Sequence, residues 1–264
     1  MRFFQVHFFY EQYLTEFYRN QPALALKPYD EQLTTVLQDG FSASHLFIRS
    51  LQEVGYATGL SICNNRPAQA RWVQENLPGL AKLADMPFET VLCQITDFAP
   101  DILYLPALKI FDSAFVRKLP VRPKLVVGWY GVEVDPAADL SDFDLVLSNS
   151  TNILHQAKLA GARTTAWFFP GMPDWLASAT DRVPKRYDLS FCGSWSSQHS
   201  NRNALLEHMA KAAPQLGNPS IAYFLLATQP LSAAVQPFSF GPLWGMSMYR
   251  ALKGSRIVFN ADVD

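Results

Sequence analysis

The sequence predicts an α/β protein built of two Rossmann-like domains, the second incomplete, and three observations predict it. Short β-branched and aromatic runs alternate with amphipathic helical runs, the pattern of parallel strands joined by covering helices. Between Pro170 and Arg186 the pattern loosens into a stretch with three prolines and no strand period, which suits an interdomain linker with a short helical turn. After a boundary near residue 185 about 80 residues remain, room for three strands where a full mononucleotide-binding domain of this kind uses roughly five or six.

The elements follow in order. MRFFQVHFFY, apolar but interrupted by Gln5 and His7 and followed by no small-residue cleavage site, reads as a first strand over Phe3 to Phe8. Leu46, Phe47, Leu51 and Val54 recur at helical spacing and stop at Gly55, a C-terminal signal. A strand over Ala57 to Cys63 follows. Pro87 opens a helix with Val91, Leu92, Ile95 and Phe98 on one side, and Pro100 ends it. Strands are predicted over Ile102 to Leu105, Leu125 to Trp129, Leu145 to Ser148 and Thr165 to Phe169, with a helix over Asn152 to Ala160 that Gly161 closes. Beyond the linker the order is strand (Leu189 to Cys192), helix (Asn203 to Ala213), strand (Ile221 to Leu226), helix (Ser247 to Lys253) and strand (Ile257 to Asn260). These assign residues 1–184 to the first domain and 185–264 to the second.

A hydrophobic fraction of 49% with 13% aromatics supplies an ample core. With 22 basic and 23 acidic residues the net charge is −1, so no broad footprint for nucleic acid is present. Three scattered cysteines, Cys63, Cys93 and Cys192, fit neither a disulfide framework nor a zinc site and suit a reducing compartment. No apolar run approaches the roughly 18 residues of a membrane span. A cytoplasmic protein is the expectation, peripheral attachment to the inner face of the membrane included.

Residues 187–202, YDLSFCGSWSSQHSNR, read as a buried strand, a glycine turn, a polar loop and a helix start. A helix start leaves N–H groups unpaired and concentrates positive partial charge, so it suits a phosphate. Arg202 in the first turn opposes the helix dipole unless an anion lies between them, although a solvated arginine is the commoner case. The second informative block is GPLWGMSMYRALKGSRIVFN, residues 241–260.

Together the two blocks resemble the glycosyltransferase group 1 superfamily, in its branch related to CgeB-type spore-maturation proteins. There a strand ending in a Phe-x-Gly-Ser turn leads to a helix beginning near an arginine, and a Trp-Gly-x-x-Met-Tyr helix precedes a Ser-Arg-Ile-Val-x-Asn strand. VHFFYEQYLTEFYRNQP, ALKPYDEQLTTVLQDGF, the Asn64 to Trp72 segment, PDILYL and DFDLVLSNS resemble landmarks of the same family. The resemblance implies a GT-B fold whose nucleotide lies on the carboxyl edge of the second sheet and whose acceptor faces the first across a cleft. It implies donor binding by Gly193, Ser194, His199, Arg202, Trp244, Gly245 and Tyr249. The family's Asn-Met-Arg-x-x-Glu-like helix start, implicated in holding the donor sugar, is not in this sequence, so the chain is read as truncated in its C-terminal domain.

Metal-free transfer requires helix N-termini, Arg, Lys or His to meet the charge of the departing diphosphate. Gly193 and Ser194 would let backbone approach it, with His199 and Arg202 facing it; a surface-loop histidine is an equal reading of His199. Trp244, between Gly241 and Gly245, could meet a nucleobase or simply cap the core. Arg250, Lys253 and Arg256 add positive charge that ordinary dipole complementarity also explains.

On the acceptor side the candidates for catalysis are His7, at the end of the first strand, and Glu133, which could accept the acceptor hydroxyl's proton if the reaction inverts. A solvated loop carboxylate is the commoner reading of Glu133. Tyr10 and Tyr13 could stack on a sugar, though aromatic clusters are more often core. Asp97 at a helix end should point to solvent. The pairs Asp142 with Asp144 and Asp262 with Asp264 have the spacing of a metal-binding Asp-x-Asp, but pairs so short arise by chance, and no metal or other cofactor is expected. P-loop, HExxH and nucleophile-elbow motifs are missing from the sequence.

The expected function is a metal-independent glycosyltransferase that moves a sugar from a nucleotide-diphosphate donor to a glycan, protein or lipid-linked acceptor. The alternative is a noncatalytic nucleotide or sugar-phosphate binding module. The partners would be the nucleotide sugar and the acceptor, with no nucleic acid and no integral membrane segment.

Overall fold

The computed structural model describes residues 1–260. The chain divides into two compact units, one of Met1–Gln38 and Ser44–Gly171, the other of Asp39–Ala43 and the chain from Met172 on.

The first unit carries a six-stranded, wholly parallel sheet in the order β2-β1-β3-β4-β5-β6. Its strands are β1 (Arg2–His7), β2 (Ala57–Ile62), β3 (Ile102–Leu105), β4 (Leu125–Trp129), β5 (Leu145–Ser148) and β6 (Thr165–Trp167). Its helices are α1 (Glu11–Asn20), α2 (Tyr29–Asp39, whose last residue belongs to the second unit), α3 (Ile48–Glu53), α4 (Arg66–Asn76), α5 (Pro87–Phe98), α6 (Ser113–Val116) and α7 (Thr151–Leu159). Burial on both faces explains why these strands read as near-continuous apolar runs.

The two faces of the sheet differ. Phe4, Val6, Leu103, Leu105, Val126 and Val146 point to one side and pack with Val91 and Ile95 of α5 and with Phe111 and Phe143 in a purely apolar core. The other side carries Phe3, Gln5 and His7, and the parallel register sets Gln5 beside Tyr104 and Tyr104 beside Val127.

Local signals explain the element ends. Asn65 caps α4 by accepting from Ala68 N–H, and Asp112 caps α6 by accepting from Phe115 N–H. Helix α5 ends on Ala99 in the left-handed region, just before Pro100. The first strand stops at His7, one residue short of expectation. Asn64 takes over there, its Oδ1 accepting from Phe9 N–H at 2.9 Å and its Nδ2 donating to Phe9 O at 2.7 Å. Helices α1, α2, α4 and α6 lie where the sequence reading set no element.

The second unit holds α8 (Asp174–Ala179), β7 (Tyr187–Trp195), α9 (Ser200–Ala212), β8 (Ile221–Ala227), α10 (Gly245–Lys253) and β9 (Ser255–Val258). Its sheet is parallel, in the order β8-β7-β9, three-stranded among the described residues. Phe191, Trp195, Leu206, Tyr223, Leu225 and Val235 form its core. The short helical turn expected within the linker stretch is α8. Among the described residues no helix is long and apolar enough to cross a membrane. Asp262 and Asp264 lie outside the described residues.

Candidate functional site

In the second unit β7 does not turn at Gly193, which corrects the expected strand, turn and loop. Gly193 pairs with Leu225, Ser194 with Leu226 and Trp195 with Ala227, so the strand runs three residues past Cys192. The glycine is required by packing: a Cβ there would stand 2.7 Å from the Phe191 ring. The chain then passes through a short 3-10 turn, Ser197–His199, into α9.

Arg202 lies in the first turn of α9, as expected, but its side chain is buried and turned back on the strand. Its guanidinium donates to Ser194 O at 2.8 Å and to Ser194 Oγ at 3.1 Å, and it stands 5.4 Å over the Phe191 ring. Asn203 Nδ2 donates to Ser196 O at 2.8 Å, fixing the turn further. His199 occupies the N-cap position with no capping bond from its side chain, and its Nδ1 is sealed from solvent without a partner among the described residues. The structure thus brings Gly193, Ser194 and Arg202 into one cluster, with His199 at its margin.

Trp244, Gly245 and Tyr249 form a second cluster at the start of α10. Trp244 is the N-cap residue, and its ring meets Phe41 edge-on at 5.7 Å. Gly245 has φ +48, and the Asp39 side chain lies directly against it. The Tyr249 hydroxyl is half-buried, and its pKa is raised by burial, then by the Asp39 and Cys192 charges. The two clusters meet along the chain, since Cys192 Sγ, beside Gly193, donates to the carbonyl of Leu243, beside Trp244, at 3.9 Å. Burial pushes the Cys192 thiol up to about 11, so this sulfur stays protonated at neutral pH.

Asp39 and Phe41 were not legible as site residues. They come from the far end of the sequence, and the one local signal, an Asp-Gly dipeptide at a helix end, reports a turn and not its neighbours.

In the first unit His7 lies at the carboxyl end of β1, buried. Gln5 Nε2 donates both to His45 O and to His7 Nε2, while Gln5 Oε1 accepts from Phe47 N–H at 3.2 Å. Burial, reinforced by the nearby His45, lowers the His7 pKa to about 3, so the ring is neutral and its Nε2 lone pair is already used. The His45 ring packs tilted against Trp129 with ring centres 5.1 Å apart, and burial lowers its pKa too. His45 Nδ1 and the Tyr104 hydroxyl are both buried with no partner among the described residues. Gln5, His45, Tyr104 and Trp129 are polar or amphipathic groups on the less apolar face of the sheet. The sequence showed Gln5 only as an interruption of an apolar strand and could not show that His45 would cover it.

Glu133 is exposed on a groove of about 980 Å³, together with Lys109, Asp135, Asp139 and Gln156. Gln156 Oε1 accepts from Val134 N–H at 3.0 Å and anchors the loop. Ser141 and Arg117 hold the Asp139 carboxyl down at about 2. His7 does not line this groove, so the two expected catalytic residues are not brought together there.

The two tyrosines part as well: Tyr10 is 62% exposed, whereas Tyr13 is 2% exposed between Phe9 and Phe17. Asp97 is exposed at the end of α5, as expected. Asp144 is buried, accepting from Val126 N–H at 2.8 Å and pairing with Arg122 and Arg163, and Asp142 pairs with Arg117. Both carboxylates are engaged by arginines. Among the described residues no three His, Cys, Asp or Glu side chains gather as a metal site.

No protein-family model matches this chain. No curated protein matches it either. Among solved structures the chain is similar to the crystal structure of an alpha,alpha-trehalose-phosphate synthase (UDP-forming) from Burkholderia vietnamiensis. The match has 13% identity and a TM-score of 0.35, over 69% of this chain and 54% of that one. The chain thus spans about half the length of the solved structure it matches.

Proposed function

We propose that the chain is a metal-independent glycosyltransferase of the GT-B, CgeB-like type, in which residues 1–184 serve the acceptor and residues 185–264 the nucleotide-sugar donor. One observation carries the reading: in the second unit the first residues of α9 and of α10 converge on the carboxyl half of β7, tied by the Cys192 to Leu243 contact. The carboxyl edge of a parallel sheet is where helix N-termini offer N–H groups to an anion.

In this reading the two helix starts, with His199 and the charge of Arg202, stabilise the departing diphosphate. Ser194 is positioned by Arg202, while Trp244, Gly245 and Tyr249 border the nucleoside. The acceptor oxygen bonds to the anomeric carbon as the bond to the diphosphate oxygen breaks, and for an inverting reaction Glu133 takes the acceptor proton. His7, neutral and bonded to Gln5, shapes the acceptor side and does not exchange protons near neutral pH.

Calorimetric titration of the chain with UDP, GDP and dTDP tests the donor site. The proposal expects one of the three to bind, and Arg202→Ala, checked for native circular dichroism, to weaken it at least tenfold. Binding by none of the three overturns the reading, and unchanged affinity in the variant removes Arg202 from the site. The second reading, a binding module without turnover, is favoured by the Asp39 carboxylate resting on Gly245, where it competes with an anionic ligand for the start of α10. It expects nucleotide binding with no sugar released or transferred.

A further inference from the structure

Helix α10 supplies neither an acid in its first turn nor a capping side chain, since Trp244 holds the N-cap position without a capping bond. The N–H groups at such a start concentrate positive partial charge. The charge set beside them is the carboxylate of Asp39, which lies directly against Gly245, the first residue of the helix. Asp39 is also the last residue of α2, a helix with no basic residue in its last turn, so there its charge opposes the dipole. One carboxylate is thus disfavoured by the helix it ends and favoured by the helix it faces, which poises it between staying and leaving.

Asp39 begins a short segment, Asp39–Ala43, that packs with the second unit, whereas Gln38 before it and Ser44 after it pack with the first. Three contacts hold this strap within the second unit. Asp39 lies on Gly245, Gly40 packs so closely on Trp175 that a Cβ would stand 3.0 Å from the ring, and Phe41 meets Trp244 edge-on at 5.7 Å. Gly40 has φ 72 and Ser42 φ 59, both in the left-handed region, which glycine adopts freely and serine does not. The strap is therefore held down by its contacts and against the preference of its own backbone.

We propose that the strap Asp39–Ala43 closes the start of α10 in the unliganded protein, with the Asp39 carboxylate standing in for an anion, and that the diphosphate of a nucleotide displaces it. Resting on the donor-site reading, this arrangement adds its regulation: the site is occupied by the chain itself, and a nucleotide binds at the expense of Asp39. Trp244 and Gly245, which border the nucleoside in that reading, are two of the three residues the strap touches, so one opening frees both. A carboxylate and a diphosphate repel each other at one helix start, and a ligand that must first release the strap binds more weakly by the fraction of chains that are open. The rival arrangement keeps Asp39 in place as an acceptor for hydroxyl or N–H donors of the nucleoside, and it has the opposite sign in the test.

Asp39→Asn keeps the shape of the side chain and removes its charge. UDP, GDP and dTDP are titrated by calorimetry into the native chain and the variant, with circular dichroism as the check on folding, and amide hydrogen exchange in residues 39–43 is followed with and without nucleotide. The variant is expected to bind whichever nucleotide the native chain binds at least tenfold more tightly, and the nucleotide to speed exchange in residues 39–43 of the native chain. Equal or weaker binding by the variant overturns the strap, and so does exchange that the nucleotide leaves unchanged or slows. The exchange experiment on the native chain decides the question alone should Asp39→Asn not fold. No binding by the native chain is failure of the donor-site reading, whereas equal affinity in both chains is failure of the strap alone.

Discussion

The carboxylate of Asp39 lies on the α-carbon of Gly245: a Cβ built there would stand 1.8 Å from Asp39 Oδ2 and 2.6 Å from the Asp39 carbonyl oxygen. Position 245 is the first residue of α10, where the helix dipole favours a negative charge, and its φ of +48 is costly for any L side chain. Gly245→Ala is therefore expected to destabilise the protein by about 1–3 kcal/mol. Urea denaturation checks this. Asp39→Ala in the same chain should recover part of the loss by removing the side-chain clash while the backbone clash remains.

Arg202 is expected to be needed for stability as well as for ligand binding. It is 7% exposed, and its removal strips the Ser194 carbonyl of its donor and the Phe191 ring of its cation. An unsatisfied buried carbonyl costs about 1–3 kcal/mol, and the half-buried Ser194 carbonyl belongs at the lower end of that range. Arg202→Met should lower stability by that order, and Ser194→Ala, which leaves the carbonyl bond in place, should lower it by less than about 1 kcal/mol. Equal effects would place the stabilisation in the hydroxyl contact.

Acid should weaken the first unit through His7. Its pKa falls from 6.5 to about 3 on folding, so between these values the unfolded chain binds a proton that the folded chain refuses. Stability is then complete above about pH 6.5 and declines as pH drops toward 3, with a slope of at most about 1.4 kcal/mol per pH unit for one group. Burial lowers the His45 pKa as well, adding to the slope in the same direction. Denaturation midpoints at pH 7.5 and 5.5 should converge in His7→Gln relative to the native chain. An unchanged difference would assign the acid sensitivity elsewhere.

Asp144→Ala should destabilise without changing any response to divalent metal. The carboxylate is 9% exposed, accepts from Val126 N–H and pairs with Arg122 at 2.8 Å and Arg163 at 3.2 Å. Because both arginines reach solvent, a loss of about 1–3 kcal/mol is expected, less than for a fully buried pair. Thermal unfolding with and without Mg²⁺ checks both halves of the statement. A Mg²⁺ stabilisation that vanishes in the variant would restore Asp142 and Asp144 as metal ligands.

Much of the fold was legible because its signals are local. The runs Ile102–Leu105, Leu125–Trp129 and Leu145–Ser148 form strands over the very residues expected, since strands buried on both faces must be continuously apolar. Gly161 closes α7 for an equally local reason, its φ of +103 being open to glycine. Helices α1, α2 and α4 were harder to read because their buried faces are aromatic and polar, as with Tyr13 and Phe17 in α1 and Gln69 and Trp72 in α4. At the candidate site the sequence located the two helices, setting their starts at Asn203 and Ser247 where the structure has Ser200 and Gly245, but misread Gly193. A glycine before polar residues signals a turn, and only the ring of Phe191 folded over it shows that the strand continues.

By itself the sequence determined the order of the strands and of helices α3, α5, α7, α9 and α10, because hydrophobic period, glycine stops and proline starts act within a few residues of chain. Tertiary structure alone decided that Arg202 turns back onto Ser194, that Gln5 locks His7 as a neutral ring, and that Asp39 crosses the sequence to rest on Gly245. The physical reason is that the protonation and hydrogen bonding of a side chain depend on which distant groups share its burial, and neighbours in space leave no mark on neighbours in sequence.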